Sequence, residues 1–284
     1  MKILVTGSNG QLGSELKKIS ELYNNYSFLF TDINELDITE KDQVEKYVKK
    51  NKVECIINCA AYTSVEQAEN DKANASLLNS TAVKNVAEAA AKANALLVHF
   101  STDYVFDGTS HKPYFEGDTA SPKNAYGKTK FEGEIEVLFN AKRALIIRTS
   151  WLYSSFGNNF VKTILDKAKT EKNINVVYDQ IGTPTYAADL ARAVLEIIPN
   201  VKPKIRTEIY NYSNEGVASW YDFAKAIVEI KNLKCKVNPV TSKHFQSIAT
   251  RPHYSVLSKS RIKTDYNLII PYWRDSLKEC LKLL

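Results

Sequence analysis

The sequence predicts an α/β fold in which a doubly wound parallel sheet is followed by a smaller C-terminal lobe. Short apolar segments in the first half lack the polar alternation of half-exposed strands, which favours strands covered on both faces. Amphipathic segments with helical spacing lie between them. This alternation is typical of right-handed β-α-β units in one open sheet.

The elements of the first half follow from these patterns in chain order. Strands rich in Ile, Val, Leu or Phe are predicted at residues 2–6, 27–31, 55–59, 96–101 and 145–149. Helices are predicted from Gln11, after Thr39, over 75–93 and over 124–139. Thr39 and Asp42 have the spacing of a capping box, which would begin the second helix.

The spacing of the elements becomes less regular after Trp151. Helices are predicted at 160–170, 187–198, 220–231 and near the C-terminus, and extended segments at 174–178 and 208–212. No repeat or flexible linker separates the two halves. We therefore predict that the second half completes the sheet and adds a small lobe, without forming an independent domain.

Composition and charge exclude several classes of protein. The apolar, aromatic and charged fractions (44%, 11% and 25%) are ordinary for a soluble globular chain. The net charge of +6 is spread along the chain without a basic stripe, so nucleic-acid binding is not expected. No apolar stretch is long enough to cross a bilayer and no signal peptide is evident, so we expect no membrane association. The four cysteines are interpreted as buried free thiols in a reducing compartment. With the lack of a signal peptide, this predicts a cytoplasmic protein.

A glycine-rich turn follows the first strand and opens the first helix. Gly7, Gly10 and Gly13 have the spacing G-x-x-G-x-x-G, which suits close approach of the backbone to a pyrophosphate at the helix N-terminus. Asp32 ends the second strand about 20 residues further on, where a carboxylate meets the adenosine ribose. Alternatively, Asp32 is a turn or capping residue. A carboxylate there repels a ribose phosphate, so NADH is favoured over NADPH or both are accepted.

A tyrosine and a lysine with helical spacing form the candidate catalytic pair. Tyr126 and Lys130 lie four residues apart and therefore on one helix face, although this spacing also fits a surface pair. Thr102 follows an apolar strand, which brings its hydroxyl to the carboxyl edge of the sheet, where ligands bind. Reduction of a ketone needs a hydride, a proton donor and a group that polarises the carbonyl. A phenol donates the proton, a nearby ammonium makes the phenol anion easier to form, and a hydroxyl polarises the carbonyl.

Longer motifs give a more specific indication. The chain contains, in order, TGxxGxxG, NCAAYT, STDYVF, YGKTK and RTSW, and so resembles the extended short-chain dehydrogenase/reductase superfamily, with a Rossmann-type sheet. More narrowly, it resembles the dTDP-4-dehydrorhamnose reductase family through STDYVFDG, SPKNAYGKTKFEGE, RTSWLY, GNNFVKTIL and DQIGTPT. The resemblance extends from Met1 to about Ser255. It implies reduction of dTDP-4-dehydro-L-rhamnose to dTDP-L-rhamnose by NADH or NADPH.

The resemblance also implies roles for individual residues. Thr102, Tyr126 and Lys130 would be catalytic, with Tyr126 as the general acid and Lys130 lowering the pKa of the phenol and holding the nicotinamide ribose. The expected cofactor-binding residues are Gly7, Gly10, Gln11, Leu12, Gly13, Asp32, Asp37, Ile38, Ala60, Ala61, Tyr62, Tyr126 and Lys130. The expected substrate-binding residues are Thr63, Val65, Thr102, Asp103, Tyr104, Trp151 and Arg251.

Several alternatives stay open at this point. Another nucleotide-sugar epimerase or dehydratase shares the glycine turn and the Tyr-Lys pair, and a non-catalytic dinucleotide-binding regulatory subunit is the third hypothesis. Ala187 and Ala188 occupy the region where the resemblance would call for a metal-binding Glu, so no structural metal is expected. The chain is expected to be a monomer or homodimer. Residues 1–151 would form the dinucleotide-binding core, and 152–284 would complete the sheet and cover the substrate.

Overall fold

The computed structural model describes residues 1–202, 206–245 and 247–284. Its centre is a six-stranded sheet with the order β10-β5-β4-β3-β1-β2, in which every neighbouring pair is parallel. The strands are β1 Lys2–Thr6, β2 Ser27–Phe30, β3 Cys55–Asn58, β4 Leu96–Thr102, β5 Ala144–Thr149, β6 Leu152–Tyr153, β7 Asn173–Val177, β8 Ile181–Gly182, β9 Thr185–Tyr186, β10 Thr207–Asn211, β11 Ala218–Ser219 and β12 Lys236–Val240. The predicted α/β fold with a Rossmann-like parallel sheet is confirmed.

Helices cover both faces of this sheet. The helices of the described residues are α1 Gln11–Ile19, α2 Lys41–Asn51, α3 Val65–Asn70, α4 Lys72–Ser76, α5 Ala82–Ala93, α6 Ala125–Asn140, α7 Phe160–Thr170, α8 Ala187–Ile197, α9 Trp220–Ile230, α10 Ser260–Tyr266 and α11 Trp273–Lys282. Successive side chains of a strand point to opposite faces. Ile3 and Val5 therefore pack with α1 and α8, whereas Leu4 packs with α2 and α5.

The second half contributes both to the sheet and to a separate apolar cluster. Strand β10 extends the sheet next to β5. Helices α7, α9 and α11 pack around Phe223 and Leu277, which are fully buried in that cluster. Strands β7 and β12 pair in parallel beside it. None of the helices in the described ranges is long and apolar enough to cross a bilayer.

Two details of the predicted helices are wrong. The helix predicted over 75–93 is interrupted by a π-helical turn at Leu77–Thr81, because an extra residue in that turn brings Asn79 into the protein interior. The expected capping box at Thr39 does not form, since α2 begins after Glu40 without a side-chain cap. The hydroxyl and N–H of Thr39 instead donate to the Asp37 carboxylate, at 2.7 and 2.9 Å.

Candidate active site

The carboxyl ends of β1, β3, β4 and β5 border a cleft of about 590 Å³. In an open α/β sheet, ligands bind at the carboxyl ends of the strands where the strand order reverses, which here is between β1 and β3. Most of the predicted site residues line the cleft: Gly10, Gln11, Leu12, Ala60, Ala61, Thr63, Val65, Thr102, Asp103, Tyr104, Tyr126, Lys130, Trp151 and Arg251. The remaining predicted residues are not among those that line the cleft: Gly7, Gly13, Asp32, Asp37, Ile38 and Tyr62.

The glycine turn packs against the backbone behind the cleft. Gly7 has φ +62°, and a Cβ there would lie 2.6 Å from the backbone nitrogen of Ala60. A Cβ on Gly13 would lie 2.5 Å from the carbonyl oxygen of Gly7, so only glycine permits this approach of α1 to the turn. Gly10 precedes α1 and lines the cleft. The first N–H groups of α1 lack partners within the helix and are available to an anion.

The carboxylate of Asp32 stabilises the turn in this structure. It accepts hydrogen bonds from the backbone N–H groups of Asn9 and Ile33, both at 2.9 Å. Asp37 and Ile38 lie on the following loop, where Ile38 is buried against the α2 and α5 side of the sheet. Asp32 therefore links the end of β2 to the glycine turn, at the position expected for the ribose.

A buried asparagine holds the loop after β3. Asn79 accepts a hydrogen bond from the N–H of Tyr62 and donates to the carbonyl of Tyr62, at 2.9 and 3.0 Å. It also donates to the Thr129 hydroxyl at 3.1 Å, and that hydroxyl donates to the carbonyl of Tyr126. The π-helical turn thus connects the loop after β3 to helix α6. No spacing in the sequence indicated this role of Asn79.

Thr102 ends β4 and Asp103 follows it in the cleft, and both residues are buried. The hydroxyl of Thr102 donates to Oδ1 of Asp103 at 3.0 Å and accepts from the N–H of Tyr104 at 3.2 Å. Burial raises the pKa of Asp103 to about 7, although hydrogen bonds from Ser255 and Thr102 oppose the increase. Its Oδ2 has no hydrogen-bond partner among the described residues. The carboxyl group is therefore able to accept or donate a hydrogen bond near neutral pH.

Tyr126 and Lys130 lie one turn apart on α6, whose first turn is capped by Asn124. Burial raises the pKa of Tyr126 above its ordinary value, and a hydrogen bond with Thr102 opposes this effect. The expected lowering of the phenol pKa by Lys130 is therefore not the dominant effect in this structure. Burial lowers the pKa of Lys130 to about 8, and its Nζ donates to the carbonyl of Phe100 at 2.6 Å. At neutral pH the phenol carries its proton and the amine is mainly charged.

Trp151 and Arg251 border the outer part of the cleft. The indole of Trp151 stacks on Trp220, with ring centroids 3.6 Å apart and planes 10° from parallel. The guanidinium of Arg251 donates to Glu66 at 2.9 Å. Trp220 and Arg251 also line an adjoining cavity of about 1270 Å³ between α7, β7 and the segments 241–245 and 247–253.

Two further contacts were not foreseen from the sequence. Glu66 accepts hydrogen bonds from the Ser247 hydroxyl at 2.6 Å and from the N–H of Ile248 at 3.1 Å, in addition to Arg251. Asn159 donates to the Gln11 side chain at 2.9 Å and caps α7. The string GNNFVKTIL contains Asn159 but gave no indication of its contact, since the two partners are far apart in the sequence.

Comparison with known proteins agrees with this geometry. The family described as RmlD substrate binding domain matches residues 1–284. A dTDP-4-dehydrorhamnose reductase of Aggregatibacter actinomycetemcomitans is 40% identical over 98% of this chain and 97% of its own length. The solved structure of a dTDP-4-dehydrorhamnose reductase from Clostridium acetobutylicum is 42% identical with a TM-score of 0.94, covering 100% of this chain and 99% of that one.

A second solved structure includes a cofactor. The dTDP-4-dehydrorhamnose reductase of Bacillus anthracis, in complex with NADP, is 38% identical with a TM-score of 0.95 and covers 100% of this chain and 99% of its own. The match of the whole chain to one family, together with these relatives, agrees with the resemblance seen in the motifs. This chain belongs to the dTDP-4-dehydrorhamnose reductase family.

Proposed function

We propose that this protein reduces the 4-keto group of dTDP-4-dehydro-L-rhamnose to give dTDP-L-rhamnose, using NADH or NADPH. The observation that carries the proposal is the convergence of Thr102, Tyr126 and Lys130 in one cleft beside the glycine turn. The full-length similarity to reductases of this name supports the same substrate. Dehydratase and epimerase chemistry is less favoured, because a dTDP-glucose 4,6-dehydratase structure is only 14% identical and shares the fold alone.

The residues present fit a dinucleotide. The glycine turn leaves its backbone exposed at Gly10, next to the N-terminus of α1, where a pyrophosphate would be held. Asp32 lies at the end of β2, where it would bind the adenosine ribose, and its charge opposes a 2′-phosphate. The NADP bound to a relative nevertheless favours acceptance of both cofactors. When bound, the reduced nicotinamide supplies the hydride.

The side chains of the cleft would then direct the proton. The single O–H of Thr102, which donates to Asp103 in this structure, would donate instead to the substrate carbonyl and stabilise the negative charge that develops on its oxygen. Tyr126, protonated at neutral pH, would donate its phenolic proton to that oxygen. The ammonium of Lys130 would favour the resulting phenolate. Asp103 and Tyr104 would hold sugar hydroxyls beside the reacting carbon.

We infer that the substrate extends through both cavities. The keto-sugar would lie in the smaller cleft between Tyr126 and Trp151, and the dTDP group would pass Arg251 into the larger cavity. Lys167 and Lys243 line that cavity and would attract a diphosphate. Residues 152–284 would therefore form the substrate-covering lobe as well as the end of the sheet, while 1–151 would hold the cofactor.

Spectrophotometry with purified protein tests the proposal. Incubation with dTDP-4-dehydro-L-rhamnose and NADH or NADPH should oxidise the cofactor only when the sugar nucleotide is present, with dTDP-L-rhamnose as product. Oxidation with a different keto-sugar nucleotide would instead indicate another specificity. A protein that binds cofactor but oxidises none would favour the regulatory role. The cytoplasmic location, the monomeric or dimeric state and the expected lack of a structural metal stay predictions.

A further inference from the structure

The backbone of Trp151 has an unfavourable conformation. Its φ is +48°, in the left-handed region that bulky residues rarely occupy. The carbonyl of Trp151 accepts from the N–H of Thr185 at 3.2 Å, and the preceding Ser150 donates to the carbonyl of Thr183 at 2.7 Å. Such a conformation persists only where surrounding contacts hold it, and it is concentrated at ligand sites. The side chain that this conformation directs into the cleft wall therefore needs support.

Two residues pack against the Trp151 indole. A Cβ on Gly182 would lie 2.7 Å from its ring, so the indole occupies the space that glycine leaves. The ring of Trp220 stacks on the indole with centroids 3.6 Å apart. The antiparallel pair β8 and β11 brings both partners together, because Gly182 lies opposite Ala218, two residues before Trp220.

Trp220 is itself held firmly. It is the first residue of α9, whose N-terminus has a complete capping box formed by Ser219 and Asp222. Phe160 packs against the Trp220 ring, with centroids 4.6 Å apart. Trp220 is half-buried and lines both cavities, so it lies at their junction. A large, fixed ring at this point determines where the Trp151 indole can lie.

We propose that Trp220 is a positioning residue for sugar recognition, which acts by holding Trp151 against Gly182 as one wall of the keto-sugar cleft. The proposal rests on the function proposed above. Neither Trp220 nor Gly182 is required to touch the reacting atoms, so their effect is on binding of the sugar nucleotide. Cofactor binding at the glycine turn is independent of this wall.

Substitutions at both neighbours of the Trp151 indole test the proposal. Trp220→Leu removes the stacking ring, and Gly182→Ala adds a methyl group where the indole lies. Both should raise the KM for the sugar nucleotide about tenfold, the effect of losing one aromatic stacking contact, with a much smaller change in kcat. Affinity for the cofactor should be unchanged, and Trp220→Phe should restore most of the lost affinity. Gly117→Ala is the matched control, since a Cβ there meets nothing within 4 Å.

A double-mutant cycle separates positioning from direct contact. If Trp220 acts through Trp151, Trp151→Leu combined with Trp220→Leu should have the same KM as Trp151→Leu alone. An increase in KM for the double variant equal to the product of the two single increases would overturn the proposal and make Trp220 an independent substrate contact. Unchanged KM values in both Trp220→Leu and Gly182→Ala would also overturn it.

A spectroscopic measurement on the ligand-free protein does not depend on turnover. Near-ultraviolet circular dichroism reports immobilised indoles, so Trp220→Leu should lose the signals of both Trp220 and Trp151. Its spectrum should match that of the double variant, whereas Trp273→Phe should lose a different band. A residual Trp151 signal in Trp220→Leu would contradict the proposal about Trp220, whatever the substrate of the wild type. Failure of the wild type to reduce the expected sugar would refute only the proposed function.

Discussion

Asp103 provides a quantitative prediction about stability. Its side chain is 2% exposed, and burial raises its pKa from 3.8 to about 7. The folded state therefore binds the proton more tightly than the unfolded chain does. As the pH rises from about 4 to about 7, the unfolded chain loses this proton first, so the free energy of unfolding falls by about 1.4 kcal/mol per pH unit. Above pH 7 both states are ionised and the loss is complete.

Asp103→Asn removes this proton equilibrium while keeping a side chain of similar shape. The free energy of unfolding of the variant, relative to the wild type, should increase by about 2.5 kcal/mol between pH 5 and pH 8. Urea unfolding at several pH values measures this difference directly.

Asp107→Asn is a suitable control for this experiment. Hydrogen bonds from Thr109 lower the pKa of Asp107, so its carboxylate stays ionised above acid pH. Its contribution to the free energy of unfolding should therefore be constant between pH 5 and pH 8. A constant difference for Asp103→Asn over the same range would refute the argument from burial.

Three further predictions concern the steady-state kinetics. Tyr126→Phe should lower kcat about 10²- to 10⁴-fold with unchanged affinity for the cofactor, measured by steady-state kinetics and a binding titration, because only the proton donor is lost. The kcat/KM of the wild type should fall as the pH rises through about 8, because the charged form of buried Lys130 is lost in the free enzyme, and a profile without this decrease would contradict the assigned role. Glu66→Gln should raise the KM for the sugar nucleotide about three- to tenfold, because it weakens the charged contact with Arg251 and the loop that follows Ser247. The exposed Glu40→Gln is its control, and equal KM values in the two variants would refute the role of Glu66.

The regular part of the fold could be predicted from the sequence because local patterns determine it. The strand at Lys2–Thr6 and the helix at Phe160–Thr170 have the predicted bounds, since buried parallel strands and amphipathic helices have clear periodicities. Strand β12 was not predicted, because Asn238 and Pro239 interrupt its apolar pattern and only pairing with β7 makes it a strand.

The site could be predicted only where short motifs carry the chemistry. Thr102 lies at the end of β4, and Tyr126 and Lys130 lie near the start of α6. The structure brings these three residues together in one cleft. The contacts of Asn79 with Tyr62, and of Glu66 with Ser247, join segments that no local pattern connects. The raised pKa of Asp103 likewise depends on burial, which the sequence does not reveal. Cys59 is half-buried at the cleft, in contrast to the expected burial of all four thiols.

Transfer of deuterium shows directly whether the protein reduces the 4-keto group of the sugar nucleotide. Purified protein would be supplied with dTDP-4-dehydro-L-rhamnose and a nicotinamide cofactor deuterated at its transferable position, and the product would be analysed by NMR and mass spectrometry. We expect dTDP-L-rhamnose with one deuterium on carbon 4 of the sugar, and almost none of this product from Tyr126→Phe. Unlabelled product, label at another carbon, or equal product formation by Tyr126→Phe would contradict this expectation.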